Sequence, residues 1–381
     1  LDWWRSWRTA VLPFGAAVRR AVLTVGAGIA LGGLGSWLNA ATRSAAEAAN
    51  AEPLRVSAIE PGFHPFDAYR ERRSRELFEQ RLLQPSRDEL RREPAPDLLL
   101  WPESAVPDVL PIVQFEQGNA RWQTPLPRAP ASRLVLGAGV VDAAGAETPA
   151  ALAIDLGSSR VVGYHGKRRL VPGGEFVPFL GWLPAPAAAM LRDAFAAALG
   201  GVPDQVPAPF LPPLQTAGGV PFGALLCYDN AFPEPAAEQV AAGARLLVVL
   251  SNEAWYRSGG ELPQLAAMTV VRALETATPI VRCTQDGFSL AIDAGGRITA
   301  ALPIEPSPQA EARILRVEVQ PGAGAVPPLA WLRASTGPFA ALGLALAVAH
   351  ALWRWAKLRR ARSTRSTPQL PADAGGRGGG S

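Results

Sequence analysis

Only two of the 37 basic residues in this 381-residue chain are lysines, Lys167 and Lys357. Histidine is also scarce. His64, His165 and His350 are the only three, and they stand in unlike contexts, so neither a histidine-based catalytic triad nor a zinc site finds support. Two cysteines, Cys227 and Cys283, allow one disulfide at most, which excludes a small fold stapled by several bridges. The formal net charge is only +4 and is accounted for by basic residues at the two ends, so it does not indicate nucleic-acid binding.

The chain uses arginine almost everywhere, yet it keeps an ammonium at Lys167, between Glu103 in Leu100-Trp101-Pro102-Glu103-Ser104 and Cys227 in Leu226-Cys227-Tyr228-Asp229. A compact cation that can exchange a proton suits a task that the broad, permanently charged guanidinium does not. Glutamate, lysine and cysteine are the groups that a thiol nucleophile needs for acyl transfer. The carboxylate takes the thiol proton, the ammonium stabilises the thiolate and the developing oxyanion, and the sulfur carries the acyl group. Taken singly, each residue has an ordinary explanation as a surface lysine, a solvated glutamate or a core cysteine. Lys357, in a basic tail with no evident chemistry, shows how far rarity alone carries.

Context strengthens the grouping. Residues 97–101 form a short apolar run with the length of a buried strand, stopped by Trp101-Pro102, which places Glu103 at a strand end. Residues 220–226 form another such run, and the polar stretch after Cys227 precedes a helix start near Pro233. Cys227 is therefore expected at a strand-to-helix turn, where backbone N–H groups can help form an oxyanion hole.

The segment around Glu103, the run Gly166-Lys167-Arg168-Arg169-Leu170-Val171-Pro172-Gly173-Gly174-Glu175-Phe176-Val177-Pro178 and the run from Cys227 to Glu234 resemble the nitrilase (carbon–nitrogen hydrolase) superfamily. Within it they look like bacterial apolipoprotein N-acyltransferases. Ser251-Asn252-Glu253-Ala254-Trp255-Tyr256, Arg272-Ala273-Leu274-Glu275-Thr276 and Pro279-Ile280-Val281-Arg282 follow in the order of that pattern, over roughly residues 54–319. The resemblance implies Glu103 as general base, Lys167 as oxyanion-stabilising cation, Glu175 as accessory carboxylate and Cys227 as nucleophile. Tyr228, Asp229 and Trp255 take oxyanion or substrate-binding positions. It implies an α/β fold of the four-layer α-β-β-α type, a phospholipid acyl donor, a diacylglyceryl apolipoprotein acceptor, and no metal or organic cofactor. A membrane-tethered amidase or nitrilase using the same residues, and an inactive binding or assembly module with this fold, are the alternatives.

Departures from the pattern cluster near the expected acyl and amine sites. Cys-Tyr-Glu is Cys227-Tyr228-Asp229, Pro-Phe-Gly-Glu is Pro172-Gly173-Gly174-Glu175, and Ser-Asn-Asp-Ala-Trp-Phe-Gly is Ser251-Asn252-Glu253-Ala254-Trp255-Tyr256-Arg257. Leu265 replaces a histidine after Gln264, and Thr-Asn-Thr-Gly appears as Thr284-Gln285-Asp286-Gly287. These changes bear on substrate identity more than on nucleophilic chemistry.

Two apolar segments bracket the motif-bearing region. Residues 21–41 carry no charge and are long enough to cross a bilayer core of about 30 Å, and residues 338–353 are apolar apart from His350. Arginines 5, 8, 19 and 20 precede the first segment, and a basic cluster from Arg354 to Arg365 follows the second. The positive-inside rule then places both ends in the cytoplasm and the domain between them on the outer face of a bacterial inner membrane. A signal peptide is the competing reading of residues 1–41. The expected organisation is a basic segment with a transmembrane helix (1–50), a catalytic domain (51–321), a second transmembrane helix with its basic flank (322–360) and a disordered tail (361–381). The acyltransferase family carries more N-terminal membrane helices, so this chain, which begins at Leu1, is expected to be part of a longer reading frame or to need an integral-membrane partner chain.

Between these ends the pattern alternates between strand and helix, as an α/β layered domain requires. Strands are expected over residues 54–59, 97–101, 133–141, 151–156, 160–164, 219–226, 245–250, 279–284, 288–293 and 312–319, and helices over 66–83, 234–242 and 263–277. Residues 179–217 read as an insertion. It is either a solvated loop with a short helix or a lid whose aromatic residues dip into lipid headgroups.

Overall fold

The computed structural model of the chain describes residues 52–63, 73–106, 109–122, 125–254, 256, 260–303 and 311–324, together with Gly28 and Gly35. Both expected membrane segments, at residues 21–41 and 338–353, lie outside the described residues apart from those two glycines. No helix among the described residues is long and apolar enough to cross a membrane.

Two sheets form the centre. The first runs β13 (Arg313–Val319), β1 (Leu54–Glu60), β2 (Leu98–Leu100), β4 (Arg133–Val141), β5 (Glu147–Asp155) and β6 (Arg160–Gly166), with β3 (Val109–Pro111) also paired to β4. The second runs β12 (Ile298–Ala301), β11 (Leu290–Ile292), β10 (Ile280–Thr284), β9 (Leu246–Ser251), β8 (Pro221–Leu226) and β7 (Leu214–Gln215). In each sheet the inner strands are parallel, β1 with β2 and β4 in one, β8 with β9 and β10 in the other. Parallel strands with both faces covered read as unbroken apolar runs. Leu98-Leu99-Leu100 and Leu246 to Leu250 are such runs, and every one of these residues is buried.

Period-2 alternation of side chains divides the apolar residues among three cores. Val56, Leu98, Leu100 and Val135 from the first sheet meet Phe222, Ala224, Leu246, Val248 and Leu250 from the second. Leu99, Leu134, Leu136 and Leu152 point the other way, toward Leu82, Leu83 and Leu90. Those three leucines lie on a continuous helix made of α1 (Ser74–Phe78), a π-helical turn (Glu79–Leu83) and α2 (Gln84–Leu90). On the far side Leu247 and Val249 face Ala236 and Val240 of α5 (Pro233–Ala241) and Ala273 of α6 (Glu261–Thr276). The order is helix, sheet, sheet, helix. A short α3 (Ile112–Glu116) and α4 (Ala185–Leu199) complete the set.

The ten expected strands are present with small shifts at their ends. The sequence pattern missed β3, β7 and β12, which have two to four residues each and are too short to show a period. The first helix is corrected: it continues to Leu90, past the expected stop at Leu83. Pro85 lacks the amide needed to extend an α ladder, and the π turn just before it shifts the hydrogen-bond register there.

Truncating Leu250, fully buried between the sheets, is expected to destabilise the chain by about 2–5 kcal/mol, the cost of a core cavity. Ile298→Ala on the half-exposed edge strand β12 should stay within about 0.5 kcal/mol of the parent. Urea denaturation of the two variants checks both values.

Candidate active site

Glu103 follows β2 through Trp101 and Pro102. Trp101 is locked by its backbone N–H to the Val135 carbonyl at 2.9 Å and by its indole N–H to the Ser86 hydroxyl at 2.9 Å. The chain then crosses β4 directly over Gly137, where a Cβ would lie 2.4 Å from the Glu103 Cα. Only glycine allows that approach. Glu103 is 8% exposed and both its carboxylate oxygens are occupied. Oε1 accepts from Lys167 Nζ at 2.9 Å, and Oε2 accepts from the Asn252 backbone N–H at 3.1 Å.

Lys167 is the residue after β6 and is 1% exposed. Besides Glu103 it donates to Glu175 Oε1 at 2.5 Å. Glu175 stands in a tight turn and is itself oriented by the Val171 N–H, which donates to its Oε2 at 2.8 Å. Gly173 in that turn has φ +83, a left-handed conformation that suits the glycine found where the resembling family usually has phenylalanine.

Cys227 directly follows β8 and opens a 3₁₀ turn (Cys227–Ala231) with φ +41, in the left-handed region that non-glycine residues rarely occupy. Surrounding structure must hold such a conformation in place. Asp229 does so: its Oδ2 accepts from the Leu226 N–H at 3.2 Å, and its Oδ1 accepts from the Arg168 and Arg169 N–H groups at 3.0 and 2.7 Å. One buried carboxylate thus ties the Cys227 turn to the backbone that follows Lys167.

The charges oppose one another. Burial disfavours the Lys167 ammonium, but Glu103, the Cys227 sulfur and Glu175 together outweigh it and hold the lysine above its ordinary pKa. Burial and the Glu103 carboxylate push the Cys227 thiol up to about 11, against the opposing pull of Lys167, Ser251 and Arg282. At neutral pH this balance favours the thiol form of Cys227. Burial likewise raises Asp229 to about 6, although three amides favour its charged form.

The structure brings Glu103, Lys167, Glu175 and Cys227 into one cluster. Tyr228 packs edge-on against Phe232 with ring centroids 5.1 Å apart. Asp229 spends its carboxylate on backbone amides, and Trp255 lies outside the described residues. Sequence reading assigned no role to Asn252, whose amide fixes the Glu103 carboxylate, or to Gly137, which admits it. Asn252 follows β9, the parallel neighbour of β8, so its arrival beside Cys227 was contained in the pairing of two adjacent strand ends. Cys283 is a free thiol buried on β10, 3.3 Å from the Ile59 carbonyl oxygen, and burial holds it well above its ordinary pKa.

Residues 135–322, which hold Lys167, Glu175 and Cys227, match the carbon–nitrogen hydrolase family. The chain belongs to the carbon–nitrogen hydrolase superfamily. Among curated relatives, this superfamily member is 33% identical over 210 residues to an apolipoprotein N-acyltransferase of Geobacter metallireducens, covering 55% of this chain and 38% of the relative. It is 31% identical over 286 residues to that of Azotobacter vinelandii, covering 75% and 50%. The chain thus spans half or less of the length of these relatives. A solved amidase from Nesterenkonia sp. AN1 aligns with TM-score 0.44 at 19% identity, over 69% of this chain and 92% of the amidase.

Asp229 yields a pH test. Its folded-state pKa, about 6, lies above the ordinary value of 3.8, so the folded chain holds a proton that the unfolded chain releases. Ionisation of Asp229 therefore subtracts stability as pH rises through that window. Thermal melts from pH 4 to 7 should show this part of the slope in the parent and lose it in Asp229→Asn.

Proposed function

We propose that this chain carries the acyl-transfer site of an apolipoprotein N-acyltransferase, moving a fatty acyl group from a phospholipid to the amine of a diacylglyceryl cysteine at a lipoprotein N-terminus. The observation that carries the reading is the buried Lys167 ammonium, bonded to both Glu103 and Glu175 next to a Cys227 that rests as a thiol. The sequence relatives support the acyl-transferase branch of the superfamily.

In the first half-reaction Glu103 takes the thiol proton while the sulfur attacks the phospholipid ester carbonyl. Lys167 and the Tyr228 backbone N–H stabilise the oxyanion. Collapse of the adduct breaks the ester C–O bond, and Glu103 returns the proton to the lysophospholipid alcohol. The acceptor amine then attacks the thioester and loses its proton to Glu103. The C–S bond breaks to leave the amide, and Glu103 hands the proton back to sulfur. Glu175 holds Lys167 on axis throughout.

The reading places the domain on the outer face of the inner membrane, anchored by residues 1–50 and 322–360, with an integral-membrane partner or further helices completing the lipid groove. Exposed apolar side chains of the insertion support contact with lipid. Phe179, Trp182 and Met190 are 63%, 86% and 74% exposed, beside an α4 with no buried residue among those whose side chains are described. The name of the matched family favours a second reading, a tethered hydrolase in which water resolves the same thioester.

Mass spectrometry of the chain incubated with phospholipid should find a fatty acyl adduct on Cys227 that survives Cys283→Ala and vanishes in Cys227→Ala. An adduct formed only from small amides would favour the hydrolase, and equal labelling of both cysteines would remove the assignment of the nucleophile. Lys167→Arg keeps the charge but not the compact geometry, and it should slow thioester formation at least ~100-fold, the scale of losing an oxyanion donor. Near-parental turnover would reduce Lys167 to a structural cation.

A further inference from the structure

Behind the catalytic cluster lies a second buried charge that the mechanism does not use. Arg282, in the middle of β10, is fully buried and forms an ion pair with Glu253, which is also fully buried. Relative to apolar side chains of the same volume, such a pair contributes little to stability, so its connections matter more than its existence.

Each end of the pair leads to a different catalytic segment. Glu253 belongs to the loop after β9. Its Oε1 accepts from the Ser251 hydroxyl at 3.3 Å and its Oε2 from the Phe288 N–H at 3.3 Å. Between Ser251 and Glu253 sits Asn252, whose N–H holds Oε2 of the base Glu103. The turn after β10 closes on Glu253 so tightly that a Cβ at Gly287 would lie 2.3 Å from its Oε2.

The other arm of the guanidinium, Nη1, donates to the Thr269 hydroxyl on α6 at 3.0 Å. Asn230, in the Cys227 turn, donates its side-chain amide to the same hydroxyl at 2.9 Å and to the Leu265 carbonyl at 3.1 Å. Thr269 in turn donates to the Leu265 carbonyl at 3.0 Å. The hydroxyl thus makes the one donation and two acceptances open to it, with no capacity to spare. A continuous path runs from the Glu103 anchor through Asn252, Glu253, Arg282 and Thr269 to Asn230 beside the nucleophile.

We propose that Arg282 is a positioning residue which, through Glu253 on one side and Thr269 on the other, holds the base and the thiol in register for proton transfer. The inference rests on the catalytic assignment of Glu103 and Cys227. The guanidinium is also close enough to Cys227 to favour its thiolate. A planar fork suits this task because its two arms reach different partners at fixed angles.

Thr269→Val is the decisive variant, since it keeps the shape and removes the shared hydroxyl. The full chain is mixed with p-nitrophenyl octanoate, and the burst of p-nitrophenolate is recorded with the Cys227 adduct mass. The burst rate constant should fall about 10- to 100-fold, as for a misplaced reacting pair, with the half-saturating ester concentration unchanged. Thr269→Ser, which restores the hydroxyl, should restore the burst. Arg282→Lys keeps the charge but not the two-armed reach, and it should behave like Thr269→Val. A parental burst in either folded variant overturns the proposal. A parent chain with no Cys227-dependent burst overturns the catalytic assignment, and this inference with it.

Discussion

Everything in this site depends on keeping one ammonium charged out of water. Lys167 is 1% exposed, and an isolated charge in that position would be neutralised by its own desolvation. Two carboxylates prevent this, one at the end of β2 and one in the turn after β6. The fold must therefore bring strand ends far apart in the chain to one point, and it must orient each carboxylate from behind. Asn252 does this for Glu103 and the Val171 amide does it for Glu175.

The same electrostatic balance explains why the sulfur rests protonated. A free thiolate would be a strong nucleophile toward any electrophile that entered, whereas in the proposed mechanism a thiol pushed up to about 11 waits for a bound substrate and a base. Cys283 is the internal contrast. It too is a buried free thiol, but it donates to the main-chain carbonyls of Ile59 and Leu100, and burial holds it well above its ordinary pKa.

Glycine and strain set the geometry that these charges need. Gly137 lets the Glu103 segment lie on β4, Gly173 turns the chain so that Glu175 faces back, and Cys227 accepts a left-handed backbone at the top of β8. Asp229 spans the two halves by binding amides on both sides of the site. Its shorter side chain, one methylene less than the glutamate of the resembling pattern, fits this inward task.

The sequence alone singled out Glu103, Lys167 and Cys227 as candidate residues and marked ten of the segments that form the sheets. A rare lysine among arginines, a glutamate after Trp-Pro and a cysteine after an apolar run are local signals, and strands such as 98–100 and 246–251 announce themselves because both faces must be apolar. Only the tertiary structure decided what surrounds them. Asn252 and Gly137 act through backbone, and the Arg282, Glu253, Thr269 and Asn230 path joins residues as much as 52 positions apart through contacts that strand order creates. Main-chain donors and buried cross-links of that kind carry no periodicity or composition of their own. They become visible only when two sheets stack and their strand ends share a single edge.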